Sequence, residues 1–187
     1  MKKYVLFISV IVAATWLCAC SSDDNDNDFD DFNPNAIQPI SLTGGDIVEF
    51  FNSELPEMHS GNDNYKMSIP FLMDDDNYNN EVHVINSRQE LADLYVGEKE
   101  LPAIDFDKYT LIIGQQKMPS LGFYIVKKEL EPKENGLQLT IYARNDSELL
   151  STMIQRLYFW GIYPKQSQTA ITVKVIKKYA NFPEKND

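Results

Sequence analysis

The sequence predicts an α+β fold, a mostly antiparallel curved sheet or small sandwich with one or two short helices packed on it. Three observations predict it. Two stretches of period-2 alternation flank a turn at Asn135-Gly136, the pattern of a β-hairpin with one face in a core. Tyr109-Thr110-Leu111-Ile112-Ile113-Gly114 is almost wholly apolar and β-prone, as expected of a central strand buried on both faces. Helical spacing behind a start signal occurs after Gly45 and after Ser87, and both stretches are short.

Taken in order, Gly44-Gly45-Asp46 reads as a turn into a helix. Asp46 would cap it and Glu49 would complete a capping box. Ile47, Phe50 and Phe51 share one face, and Pro56 ends the helix. Met58 to Asn64 is a polar loop that holds His59. Asp74 to Glu81 is a second polar run with alternate acids. A calcium loop starting at Asp74 would need glycine at its sixth place and glutamate at its twelfth. Asn79 and Ile85 stand there, so a solvated loop is expected and no metal.

Val82-His83-Val84-Ile85-Asn86 reads as a strand. Ser87 and Glu90 form a second capping box, and Leu91, Leu94 and Tyr95 give the apolar stripe of a helix ending at Gly97. Leu101 to Phe106 is an ordered-looking loop that leads into the central strand. In the hairpin, Leu121, Phe123 and Ile125 alternate with Gly122, Tyr124 and Val126. After a turn over Glu131 to Gly136, Leu137, Leu139, Ile141 and Ala143 alternate with Gln138, Thr140, Tyr142 and Arg144. Ser151 to Tyr163 carries two patterns. Leu149, Leu150, Met153, Ile154, Leu157 and Tyr158 fit a helical period, while Tyr158-Phe159-Trp160 and Gly161 favour a strand. A strand from about Thr152 is the expectation. Thr169 to Tyr179 is the last strand, with Ile171, Val173, Val175 and Ile176 apolar.

The start of the chain gives an address. Lys2 and Lys3 precede an apolar run from Tyr4 to Trp16, the layout of a secretory signal peptide. The run is too short to serve as a finished membrane span. Leu17, Ala19 and Cys20 then fill the places of a bacterial lipobox, with Cys18 between them. This resembles the processing site of lipoproteins and implies cleavage before Cys20 and acylation of its thiol. The expected organisation is a signal peptide over 1–19, a lipidated cysteine and acidic tether over 20–40, and one α+β domain over 41–182. Cys18 leaves with the leader and Cys20 carries lipid, so the domain holds no free thiol, disulfide or cysteine-based metal site.

Six aspartates lie between Asp23 and Asp31. Such a run repels itself and buries little. Acidic residues directly behind a lipid-bearing cysteine resemble the export signal of Bacteroidetes-type surface lipoproteins. That resemblance implies the outer membrane and the cell surface, with the periplasmic face as the alternative. The full chain carries −11. Without Lys2 and Lys3 it holds 15 basic against 28 acidic side chains, or −13. Setting aside the six tether aspartates leaves the folded part at −7. That balance excludes nucleic acid, which needs a basic footprint. It suits a surface that stays soluble by self-repulsion.

Leu111-Ile112-Ile113-Gly114, Gly122-Phe123-Tyr124-Ile125, Tyr163-Pro164 and Val173-Lys174-Val175-Ile176-Lys177-Lys178 follow one another in the chain. Their order resembles the C-terminal domain of PrcB-like protease-complex lipoproteins, over about residues 82–179. The stretch from Asn145 to Gln168 is longer than is usual there. The resemblance implies a non-catalytic lipoprotein that binds and steadies a partner protein. It carries over no site residues.

Motif chemistry is sparse. The two histidines, His59 and His83, are not spaced as in HExxH, and no GxSxG, P-loop or GxGxxG occurs. No catalytic residue and no cofactor are expected. Carboxylates abound, so any pair chosen as a glycosidase-like couple is arbitrary without its separation. The aromatics are the better lead. Tyr158, Trp160 and Tyr163 sit close together, and Tyr124 and Tyr142 would project from the hairpin. Flat rings with polar tips serve protein contacts and stack on sugars. They also fill cores, which is the plainer role for most of them. In a strand, Tyr158 and Trp160 share one face and Phe159 takes the other. The expected partners are the membrane through the lipid anchor and a second protein, with a surface glycan as the alternative.

Overall fold

The first sheet lies in the middle of three layers, and that placement decides which residues line a site. The structure is a computed structural model that describes residues 33–58, 68–73, 80–147 and 151–179. All of these fall in the unit Phe32–Asp187. The elements are α1 (Asp46–Glu54), β1 (Glu81–Ile85), α2 (Arg88–Leu94), β2 (Tyr109–Met118), β3 (Phe123–Lys133), β4 (Gly136–Asn145), β5 (Gln155–Pro164) and β6 (Ile171–Tyr179). They build two three-stranded sheets, in the orders β1-β2-β5 and β3-β4-β6. The ladders are antiparallel except β4 with β6, which is parallel. This is the small α+β sandwich that the alternation predicts.

The apolar run at Tyr109 becomes β2, the centre of the first sheet. Leu111 and Ile113 point into a core shared with Phe50, Phe51 and Leu55 of the α1 region and Leu91 of α2. Ile112 points the other way, into the core between the sheets with Phe123, Leu139 and Ile141. A strand covered on both faces needs apolar residues at both parities, hence the unbroken run.

α1 has the expected extent, but Asp46 is not its cap. Gly45 takes that place at φ 91, with no side-chain cap bond, and Asp46 and Glu49 lie in the first turn. There their charges still favour the helix dipole. α2 has its capping box, with Glu90 N–H donating to Ser87 Oγ at 3.1 Å and Ser87 N–H to Glu90 Oε2 at 3.1 Å. It stops at Leu94, short of Gly97. The backbone of Tyr95 bridges to Phe71, and Val96 N–H donates to Pro70 C=O at 2.9 Å. The loop holding His59 and most of the run from Asp74 lie outside the described residues.

The hairpin is tighter than expected. β3 continues to Lys133, which pairs with Gly136, so Glu134-Asn135 alone form the loop. Gly136 sits at φ 146, and a Cβ there would meet the Ala170 carbonyl oxygen at 2.4 Å. Both facts require glycine. A register shift between Ile125 and Lys127 marks a β-bulge at Val126. It reverses the parity of the strand, so that Phe123 and Ile125 face inward before it and Leu130 after it.

The stretch before Tyr163 is a strand, as its aromatic run favours, beginning at Gln155. β6 departs from the antiparallel pattern for a topological reason. β5 pairs in the other sheet, so it serves as the crossover between β4 and β6 that parallel strands require. Residues 33–40, expected as tether, lie on the sandwich instead. Ile37 bridges to Leu130, and Ile40 N–H donates to Ile162 C=O at 2.7 Å.

α1 is held chiefly by Phe51, which is fully buried and stacks on Trp160 with centroids 4.7 Å apart. Phe51→Ala is expected to cost about 3–5 kcal/mol, against under about 0.5 kcal/mol for the exposed Val96→Ala. Urea unfolding of the two variants checks this.

Candidate functional site

The five aromatics singled out from the sequence do not form one surface. Trp160 shares the helix side of the first sheet with Tyr158, as strand geometry demands. Tyr163 and Phe159 face the opposite way, into the core between the sheets. Tyr158 and Tyr163 are 4% and 1% exposed, so neither offers a face to a surface ligand. The reason is the sheet's place between two layers. Tyr124 and Tyr142 lie on the outer face of the second sheet. The Tyr142 hydroxyl donates to Glu129 Oε2 at 2.7 Å, and Lys127 Nζ lies 5.3 Å from its ring centre. Tyr142 is thereby buried beneath its own neighbours. Tyr124 is half-buried and donates to Asp146 Oδ2 at 2.6 Å. Asp146 Oδ1 also accepts from Arg144 Nε at 2.6 Å.

Trp160 borders a concavity. A pocket of about 330 Å³ lies between residues 39–42, α1 and the outer edge of β5. Its walls include Ile40, Leu42, Val48 and Ile162, and its polar groups are Ser41, Asn52, Glu57 and Lys128.

Glu57 and Lys128 form a buried ion pair, their side chains only 7% and 11% exposed. Each also bonds the edge of β5. Trp160 N–H donates to Glu57 Oε1 at 2.8 Å, and Lys128 Nζ donates to Trp160 C=O. The Lys128 ammonium also lies 5.9 Å from the centre of the Trp160 ring, within cation–π range. Glu57 follows Pro56 at the exit of α1. The next residue, Met58, accepts from Ile125 N–H at 3.2 Å through its carbonyl.

Glu57 and Lys128 were not among the residues expected to matter. A signal for Lys128 exists, because the apolar parity switches between Ile125 and Leu130 and so announces the bulge that turns Lys128 inward. Glu57 has no such mark, since its role depends on where the chain leaves α1.

The Tyr163 hydroxyl is driven far above its ordinary value, first by burial and then by the charge of Glu57. It has no hydrogen-bond partner among the described residues, and neither has Trp160 Nε1. A Cβ on Gly161 would lie 3.1 Å from the Tyr163 hydroxyl. Gly161 lines the pocket, while the Tyr163 ring packs over it on the inter-sheet side.

Other carboxylates are held ionised. Burial alone would raise Glu54, but hydrogen bonds from Lys99, Tyr95 and Ser53 and the Lys99 charge lower it below its ordinary 4.5. Burial opposes Glu129 likewise, and Lys127, Tyr142 and Gln38 outweigh it. Asp146 is lowered by Tyr124 and Arg144 against the same opposing burial. His83 bonds Glu81 at 2.7 Å. Among the described residues no three His, Cys, Asp or Glu side chains come together as a metal site. No helix among them is long and apolar enough to cross a membrane.

No protein-family description, curated protein or solved structure matches this chain.

Removing one member of the Glu57–Lys128 pair strands a buried charge. Lys128→Met is expected to cost about 3–5 kcal/mol at neutral pH, and Glu57→Gln/Lys128→Met to recover part of that loss. Denaturant unfolding of the single and double variants reads it, and additive effects would refute the coupling.

The lowered Glu54 and Glu129 set an acid limit. Their folded values lie below their unfolded ones, so their stabilisation is complete above about pH 4.5 and is lost as pH falls through the lowered values. Urea midpoints should fall on that limb, and Glu129→Gln should flatten it. Parallel curves for wild type and variant would sink the assignment.

Proposed function

We propose that the protein is a lipid-anchored, non-enzymatic surface lipoprotein that binds and steadies a partner protein. The anchor is Cys20, behind a leader with a lipobox. The outer membrane, facing outward, is the location this reading carries. One observation supports the non-enzymatic part above others. Every described carboxylate with a clear shift moves downward: Glu54, Asp105, Glu129 and Asp146. A general acid or base working near neutral pH needs the opposite shift. These carboxylates serve as ionised struts. Glu54 ties α1 to Tyr95 and Lys99 beyond α2, and Glu129 ties β3 to β4. A stiff scaffold loses little conformational entropy when it docks.

The partner surface we assign is β6, an edge strand that carries the exposed Lys174 and Lys177. In a chain of net −11 this is a local concentration of positive charge, suited to an acidic face on the partner. The sequence resemblance to PrcB-like lipoproteins, which carries over no site residues, supports partner binding in general and not this strand in particular.

The test is a pull-down of the full chain from detergent-solubilised outer membranes. A stoichiometric partner is expected with wild type, and its loss with Lys174→Glu/Lys177→Glu. Cys20→Ala should move the protein from the membrane to the soluble fraction. Recovery of the protein alone, or a membrane-bound Cys20→Ala, would overturn the corresponding half of the reading.

A further inference from the structure

The pocket beside Trp160 has hydrogen-bonding capacity that the fold leaves unused. Glu57 Oε1 takes both the Lys128 and the Trp160 bonds, which leaves Oε2 as an acceptor. Lys128 Nζ donates to Glu57 and to the Trp160 carbonyl, and an ammonium has a third proton. A carboxylate acceptor and an ammonium donor therefore stand side by side in a concavity. The pair is internally neutral, so it offers no net charge to an ionic ligand. It matches two adjacent hydroxyls, one donating to the carboxylate and the other accepting from the ammonium.

The walls fit the same ligand. Ile40, Leu42, Val48 and Ile162 present an apolar surface, suited to the C–H face of a sugar ring. Ser41 and Asn52 stand exposed at the rim, where further hydroxyls would lie. A volume of about 330 Å³ is at the small end for ligand sites, which run from about 300 to 1,000 Å³. It accommodates a single ring and not a long chain.

We propose that this pocket binds one pyranose unit of a saccharide, recognised through a vicinal diol held between Glu57 and Lys128. The proposal goes beyond the partner-binding reading and uses a different face, so each can fail without the other.

The experiment is a ligand-observed saturation-transfer NMR titration of the full chain in a detergent without a sugar headgroup. The probes are D-glucose, D-mannose and D-galactose, with cyclohexanol as a ring lacking the diol. At least one sugar should bind saturably in the millimolar range, and cyclohexanol should not. Lys128→Met should abolish binding. Asn52 is exposed at the rim, so Asn52→Ala keeps the fold and should weaken binding about three- to tenfold, the loss of one hydrogen bond. No saturable binding by any of the sugars would overturn the proposal. So would equal saturation by cyclohexanol, or an unchanged affinity in Asn52→Ala.

Discussion

A three-stranded sheet has two edges, and an apolar edge strand invites pairing with another chain. β5 is such a strand, ten residues long and aromatic-rich. Its outward edge is closed without a further strand. Trp160 N–H is accepted by Glu57, Trp160 C=O is met by Lys128, and Ile162 C=O is met by the backbone of Ile40. Side chains thus replace the backbone groups of a missing neighbour. The same pair joins the exit of α1 to β3, so helix layer and second sheet are both referenced to one edge. Charges taken out of water are costly, and they are tolerated here because each is bonded both to the other and to a peptide group.

Regular elements were legible where their surroundings are uniform. β2 reads from its apolar run because both faces are covered, and α2 reads from Ser87 and Glu90 because a capping box is a local device. β5 was legible only through its aromatics and Gly161, since its apolar spacing also fits a helix. Hidden features were those set by distant chain. Gly45 takes the cap that Asp46 could have supplied. α2 ends early because of a backbone bridge to Phe71. β6 runs parallel to β4 because β5 crosses to the other sheet, which no local pattern reports. The candidate site was half legible. Trp160 stood out by residue type, whereas Glu57 and Lys128 are ordinary charged residues given meaning by a bulge and a chain exit.

The aromatic run of β5 also shows why residue type alone cannot locate a surface. Tyr158, Trp160 and Tyr163 sit close in sequence, yet strand parity sends Tyr163 into one core and the others into the second. Clustering along the chain therefore becomes separation in space. Trp160 is only half-buried because the layer above it opens there onto a pocket.

That difference decides where chemistry collects. A seam closed by backbone pairing consumes its donors and acceptors, as over Leu111–Gln115 of β2, with a neighbouring strand on either side. A seam closed by side chains leaves a remainder, because a carboxylate has two oxygens and an ammonium three protons while one peptide unit needs only one of each. At the edge of β5 that remainder faces a concavity with apolar walls. The device that protects this fold from edge-to-edge association is thus the same device that leaves binding capacity at its surface.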